Sequence, residues 1–404
     1  MTQQQQPWSQ RLHAFVEFCD PDDAGLRSQA PDVPGELSGF TCGVKDVIDV
    51  EGLPTRNGSE TYRDASPATA DAPVVAALRD AGARIVAKTV TTEFAFTDPT
   101  DCRNPHDLAR SPGGSSSGSG AAVGAGIIDL ALGTQTAGSL CRPAAYCGAV
   151  GFKPTYGILP TEGVTPLAPS FDTVGVIARS VELAARSFRA MCTVPPACGD
   201  ATPGTCAALL FDAGAQPTPD TLAAFDAAGV AMSQLAGPLG HLGTDLDVAH
   251  VVSDHRIVMN YEAFAAHGYL LEDARSALLK PKFRAGLEAG ARISLAEKAD
   301  AMARLDAAGA SFWADMAGVD VLLTLPVPEG APLIGETTGF QDWLTPWTVF
   351  GGPLVSLPWG LDSFGRPRAV MLAGRPGADS SLLTIAAALE QSAPPLPAPV
   401  LPQG

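Results

Sequence analysis

The chain has 404 residues, 46% hydrophobic and 17% charged. At roughly 150 residues per domain that is one large or two smaller domains, with enough apolar surface for a core without staples. A formal charge of −17 gives no general attraction for phosphate backbones or anionic lipids, which argues against nucleic acid or membrane as partners.

Taken in order, the start MTQQQQPWSQRLHAF lacks a basic leader followed by a long apolar run, so no secretory signal is expected. Apolar spacing predicts a helix from Pro7 to about Cys19. GVKDVIDV (43–50) is rich in β-branched residues and predicts a strand. Asp71 is placed to cap a helix over APVVAALRDAG, and RIVAKT (84–89) predicts a short buried strand. A small-residue helix is expected over 119–127 and a strand over 128–134. Ser180 should cap SVELAARSFRAMC, with a strand at 206–211, helices at 258–279 and 294–317, strands at 319–325, 353–358 and 368–372, and a helix at 380–391. Even VDVLLTL near 319–325 is far shorter than the roughly 20 residues a bilayer needs. The alternation predicts an α/β fold, a central twisted mixed sheet with helices on both faces. With no linker inside 40–390, one domain is expected: a lead-in over 1–40, a main body over 41–392 with 195–330 as an embellishment, and a Pro-rich tail over 393–404. Eight cysteines without a C-x-x-C pair or zinc-site spacing exclude a disulfide scaffold and suggest a reduced, cytoplasmic setting, with no metal and no cofactor.

Chemistry concentrates in two short stretches. The first is SPGGSSSGSGAAVGAG (111–126). A flexible linker is out of place between two structured segments, and no Lys follows these glycines as a phosphate-binding loop requires. A dinucleotide fingerprint fails as well, with Val123 at the last glycine position and Leu140 where an acidic residue belongs. A tight, hydroxyl-rich loop pressed against other backbone remains. The second stretch is GTQTAGSLCRP (133–143), where Gly133, Ala137 and Gly138 leave the main chain around Ser139 bare. Successive N–H groups can then converge on one oxygen, as an oxyanion hole requires, and a helix from Ala144 onward would add positive potential.

A nucleophilic serine needs a base. None of the six histidines sits in a recognisable catalytic context; His106 comes nearest and reads as a solvated loop residue. Lys45, Lys88 and Lys153 lie in apolar surroundings, where burial favours the neutral amine, a competent general base. On the residues alone, Lys45 and Lys88 both suit, and Lys88 equally suits an ion pair.

In this order and spacing, GVKD (43–46), PGGSSSGS (112–119) and GTQTAGS (133–139) resemble the amidase signature family. DVEGLPTRNGS (49–59), AKTVTTEFAF (87–96), RNP (103–105), CGAVGFKPTYG (147–157) and SLPWG (356–360) add to the match, which is strong over about 41–180 and weak over 350–392. The resemblance implies a single α/β domain and a Ser-cisSer-Lys triad. Ser139 is its nucleophile, Ser115 the bridging serine after a cis peptide at Gly114, and Lys45 the neutral lysine. Backbone N–H groups of Thr136, Ala137, Gly138 and Ser139 form the oxyanion hole, with Ser116, Gln135 and Arg142 in support. The chain departs from the pattern at Gln135, where many members carry Asp, at Ala137 for a common Gly, and at Arg142, three residues after Ser139 rather than two. The first leaves the hydrogen-bond network behind the nucleophile open. For Arg142 an ion pair is expected ahead of a substrate carboxylate.

The resemblance further implies an amidase: hydrolysis of a small-molecule amide, small or aryl, through an acyl-enzyme. A carbamoyl-type (allophanate-like) hydrolase and an amidotransferase A-type subunit stand as alternatives, and a homodimer is left open. Trp343, Trp347 and Phe350 either line an acyl pocket or pack in the core.

Overall fold

Strands buried on both faces set the architecture. In β2 (Thr41–Lys45), β4 (Leu130–Gln135) and β6 (Thr173–Ala178) nearly every residue is buried. Successive side chains alternate between two apolar layers: Leu130 and Leu132 enter one, Ala131 the other, and Val370/Leu372 and Met371/Ala373 divide in the same way. The computed structural model describes residues 10–19, 35–192, 204–272 and 274–400.

The other strands are β1 (Phe15–Phe18), β3 (Arg84–Thr89), β5 (Val150–Lys153), β7 (Cys206–Leu209), β8 (Gly240–Leu242), β9 (Val321–Thr324), β10 (Leu354–Leu361) and β11 (Pro367–Gly374). They form an 11-stranded mixed sheet in the order β1-β3-β2-β4-β6-β5-β10-β11-β9-β7-β8. β2 runs parallel to both β3 and β4, while β4–β6 and β10–β11 are antiparallel. On one face pack α1 (Pro73–Asp80), α4 (Val181–Met191) and α10 (Asp379–Glu390); on the other lie α2 (Ser117–Gly124), α3 (Cys141–Cys147) and α9 (Thr345–Val349). Between them in sequence come α5 (Pro219–Ala236), α6 (Val248–His267), α7 (Pro281–Gly290) and α8 (Leu295–Asp315). The α/β class and the mixed sheet are as expected, and the stretch 195–330 supplies one edge of that same sheet through β7, β8 and β9.

Local signals succeed where side chain and backbone agree. Ser180 accepts from the Leu183 N–H at 3.2 Å and caps α4, and RIVAKT is β3 as predicted. Elsewhere tertiary contacts override them. Phe15–Phe18 is a strand, not helix, because it pairs antiparallel with β3 (Phe15 with Thr89, Phe18 with Ala87) and satisfies that strand's outer backbone groups; of the expected helix, residues 10–12 are helical and residues 7–9 lie outside the described residues. GVKDVIDV stops being strand at Lys45, where the Val47 and Ile48 N–H groups turn back onto the Lys45 carbonyl at 2.8 and 2.9 Å. Asp71 caps nothing: α1 starts at Pro73 after Ala72, and Asp71 pairs with Arg79 at 2.6 Å and accepts the Glu51 N–H. The helix expected over 258–279 is α6, which starts earlier and ends at His267, followed by short 3-10 turns.

Candidate active site

Two parallel strands carry the polar centre. The turn after Lys45 leaves its side chain at the carboxyl end of β2, beside the corresponding end of β4, the place where α/β sheets open crevices. The amine, fully buried, donates to Ser115 Oγ at 2.7 Å and to Thr134 Oγ1 at 2.7 Å. Burial lowers its pKa from 10.5 to about 7, and the Asp172 carboxylate opposes part of that fall. Lys88 is a different residue in kind: its amine pairs with buried Asp46 at 2.9 Å and donates to Thr55 Oγ1 at 3.0 Å. The choice the sequence leaves open therefore falls on Lys45 as the amine among hydroxyls.

Ser115 reaches Lys45 from the loop before α2, after a cis Gly114–Ser115 peptide bond. The loop is pressed against neighbouring backbone, as its composition suggests. A Cβ on Gly118 would lie 2.1 Å from the Ala14 carbonyl oxygen and 2.4 Å from the Val90 nitrogen. Arg142 holds the Gly114 carbonyl from the far side through Nε (3.1 Å) and Nη2 (2.6 Å), while Nη1 donates to the Gly339 carbonyl at 2.8 Å. The ion pair expected for Arg142 is thus replaced by three bonds to carbonyls: a fully buried guanidinium is satisfied there by main-chain dipoles. Burial lowers its pKa to about 10.

Ser139 ends the turn between β4 and α3 and is 7% exposed. The Ser116 N–H donates to its carbonyl at 3.1 Å, which ties the two serine loops together, whereas the Ser139 hydroxyl makes no hydrogen bond among the described residues. The N–H groups of Thr136, Ala137, Gly138 and Ser139 likewise have no acceptor among the described residues. Four successive buried donors without protein partners are rare in a folded chain, and such a row can take an oxygen from outside it. A Cβ on Gly138 would lie 2.7 Å from Leu344 Cδ1 and 3.1 Å from Leu344 Cβ, so a larger residue there requires the Leu344 side chain to shift.

Gln135 answers the question raised by the missing Asp. Its Oε1 accepts the Leu140 and Cys141 N–H groups at 3.1 and 3.0 Å, and its Nε2 donates to Thr348 Oγ1 at 3.0 Å. The helix after Ser139 begins at Cys141 rather than Ala144, and because Gln135 consumes its leading N–H groups, the free donors come from the 136–139 loop instead. Asp172 accepts from Thr136 Oγ1 at 2.5 Å and from the Leu167 and Ala168 N–H groups at 2.8 and 2.9 Å. Burial pushes its pKa up; these bonds and Lys45 pull it back.

Several residues escape sequence reasoning. Thr134 lies inside GTQTAGS and Asp172 in a Phe-Asp turn, but His255 and Thr348 sit far away on α6 and α9 with no local signal. His255 Nε2 lies 2.8 Å from the Thr136 carbonyl. His106 is not a solvated loop histidine; it is half-buried with Nε2 3.2 Å from the Cys147 carbonyl. Trp343, Trp347 and Phe350 are core residues: Trp347 packs on Phe211 with ring centroids 4.7 Å apart and Phe350 stacks on Phe312 at 4.6 Å. The described cysteines are free thiols, and Cys198 lies outside the described residues. No described helix is long and apolar enough to cross a membrane.

The sequence and the fold are similar to those of known proteins. The glutamyl-tRNA(Gln) amidotransferase A subunit of Anaeromyxobacter dehalogenans (strain 2CP-C) is 32% identical, aligned over 97% of this chain and 91% of its own. The AtzE subunit of the 1-carboxybiuret hydrolase of Pseudomonas sp. (strain ADP) is 41% identical over 43% of this chain and 39% of its own. A solved amidase structure superposes with a TM-score of 0.86 at 27% identity, covering 97% of this chain and 95% of that one. The family model described as Amidase matches residues 3–223, more than half of the sequence and both serine loops, and the chain accordingly belongs to the amidase family, the amidase-signature enzymes.

Proposed function

We propose that the chain hydrolyses a carboxylic amide to the acid and ammonia or an amine, with Ser139 as nucleophile, Ser115 as proton bridge and Lys45 as base. The observation that carries this reading is the buried Lys45 amine, 2.7 Å from Ser115 Oγ and brought to a pKa of about 7 by desolvation. A neutral amine keeps one lone pair. It accepts the Ser115 proton while Ser115 Oγ takes that of Ser139, and Ser139 Oγ bonds to the amide carbon. The carbonyl oxygen gains negative charge, and the unpartnered N–H groups of 136–139 supply donors for it. Expelling an amine requires a proton on nitrogen. Ser115 returns one, recovering its own from Lys45, and the C–N bond breaks to leave an acyl-Ser139 ester. Water then repeats the sequence and releases the acid.

A small carboxamide or an aryl amide is the substrate class proposed. A second reading follows from the full-length likeness to the glutamyl-tRNA(Gln) amidotransferase chain, in which the ammonia released would pass to a partner chain. The identity shared with the 1-carboxybiuret hydrolase keeps carbamoyl-type substrates in the same test. That test is a screen of carboxamides, aryl amides and carbamoyl compounds for release of ammonia or amine. Ser139→Ala and Lys45→Ala should each lose more than about 10³-fold on any active compound, because the relay acts as a unit. Near-normal turnover in either variant refutes the assignment.

A further inference from the structure

We propose that His255 and Thr348 are positioning residues that hold two successive peptide units of the oxyanion loop with their N–H groups turned to the substrate oxygen. The inference rests on the reading of Ser139 as nucleophile and extends it to side chains outside the signature motifs.

The loop is hydrogen-bonded on one side only. While the N–H groups of 136–139 have no partners among the described residues, every carbonyl of the same four residues has one. Gly138 O accepts from the Arg142 N–H and Ser139 O from the Ser116 N–H, both at 3.1 Å and both from nearby backbone. The other two are held by side chains from distant elements. His255 Nε2, on α6, meets Thr136 O at 2.8 Å, and Thr348 Oγ1, on α9, donates to Ala137 O. A trans peptide is planar, with C=O and N–H opposed. Anchoring Thr136 O therefore fixes the Ala137 N–H, and anchoring Ala137 O fixes the Gly138 N–H. A bond to the carbonyl also polarises the peptide and strengthens its N–H as a donor.

The proton directions are set by chemistry. A carbonyl only accepts, so His255 Nε2 carries the hydrogen. The ring is buried and lies against Phe171 with centroids 4.5 Å apart, which fixes its plane. For Thr348, both lone-pair directions of Gln135 Oε1 are occupied by N–H groups, so Gln135 presents its Nε2 as donor and Thr348 Oγ1 must accept from it. The Thr348 hydrogen then goes to the Ala137 carbonyl, which lies closer than its other acceptor, the Leu344 carbonyl at 3.4 Å. An Asp at 135 could not donate in this way, so Gln135 and Thr348 work as a matched pair.

The test compares donor-removing with donor-keeping variants. Thr348→Val is isosteric and removes the hydroxyl, Thr348→Ser keeps it, His255→Leu removes the ring donor and His255→Gln keeps an N–H. kcat and KM are measured on the most active amide of the screen, with the inhibition constant of a matching boronic acid, whose adduct on serine carries an anionic oxygen. Thr348→Val and His255→Leu should lower kcat about 10- to 100-fold and weaken the boronic acid in parallel, with KM within about threefold; Thr348→Ser and His255→Gln should stay within about threefold of the parent. Unchanged kcat and boronic acid binding in folded Thr348→Val overturns the inference, as does a loss in kcat with no parallel loss of boronic acid binding. If His255→Leu does not fold, Thr348→Val with Thr348→Ser decides alone. Ser139→Ala separates the two levels: full activity there removes the nucleophile itself, whereas an inactive Ser139→Ala beside a normal Thr348→Val removes only the positioning role.

Discussion

Asp172→Asn is the perturbation that probes Lys45 most sharply without touching it. At an ordinary pKa of 10.5, about one amine in 3,000 is neutral at pH 7; at a pKa of about 7 roughly half are. Burial thus raises the neutral fraction of the amine, the form the proposed base needs, about 10³-fold, at a differential solvation cost on the order of 5 kcal/mol for the charged form. The pH dependence of kcat/KM should then fall about tenfold per pH unit below pH 7 and level off above it. The Asp172 carboxylate favours the charged amine and holds the Lys45 pKa up. Its replacement by Asn should move the acid limb to lower pH, with the plateau reduced by whatever the Thr136, Leu167 and Ala168 bonds contribute to loop geometry. Stability should follow the same proton. Because the folded pKa is depressed, the unfolded chain binds more protons between about pH 7 and 10.5, so the Lys45 contribution makes the fold more stable as pH rises through that window. Lys45→Met should flatten that slope in denaturant titrations. An acid limb that vanishes in Asp172→Asn assigns it to Asp172 and refutes the reasoning, as does a limb that shifts upward.

Lys88→Met leaves the Asp46 carboxylate buried and unpaired, and should cost about 3–5 kcal/mol by chemical denaturation while activity per folded molecule stays within a fewfold. The loss should deepen as pH rises, because Asp46, already pushed up by burial, escapes by protonating at low pH. A Gly118→Ala variant must move the Ala14 or Val90 backbone and should lose about 3 kcal/mol or more, whereas Gly126→Ala, at φ +68° with open space around it, should lose about 1 kcal/mol; equal melting temperatures would contradict the tight-loop reading.

What the sequence reveals and what it hides follow one physical division. Ser180 and RIVAKT act through their immediate neighbours, so capping geometry and β-branching are legible in short windows; the run 113–120 shows only its small residues there, since the backbone it presses on, at Ala14, Val90 and Pro143, is distant in sequence. Around Lys45 and Ser139 short windows show a strand end and a tight turn, but which lysine lies beside Ser115 shows only once β2 and β4 stand side by side. Phe15–Phe18 is not legible, because its strand character comes from the open edge of β3. Nor are Val150–Lys153 and Thr173–Ala178, short and buried on both faces, where alternation has nothing to report. Arg142 misleads because a buried cation implies a carboxylate until the Gly114 and Gly339 carbonyls are in view. His255 and Thr348 act on Thr136 and Ala137 across more than a hundred residues, a distance over which spacing carries no signal.

The proposed relay from Lys45 to Ser139 is tested most directly by a fluorophosphonate probe followed by peptide mass mapping. A single adduct on Ser139, formed quickly by the parent and at least about 10³-fold more slowly by Lys45→Ala, is the expected result. An adduct on any other residue, or equal labelling of Ser139 with and without the amine, would contradict it.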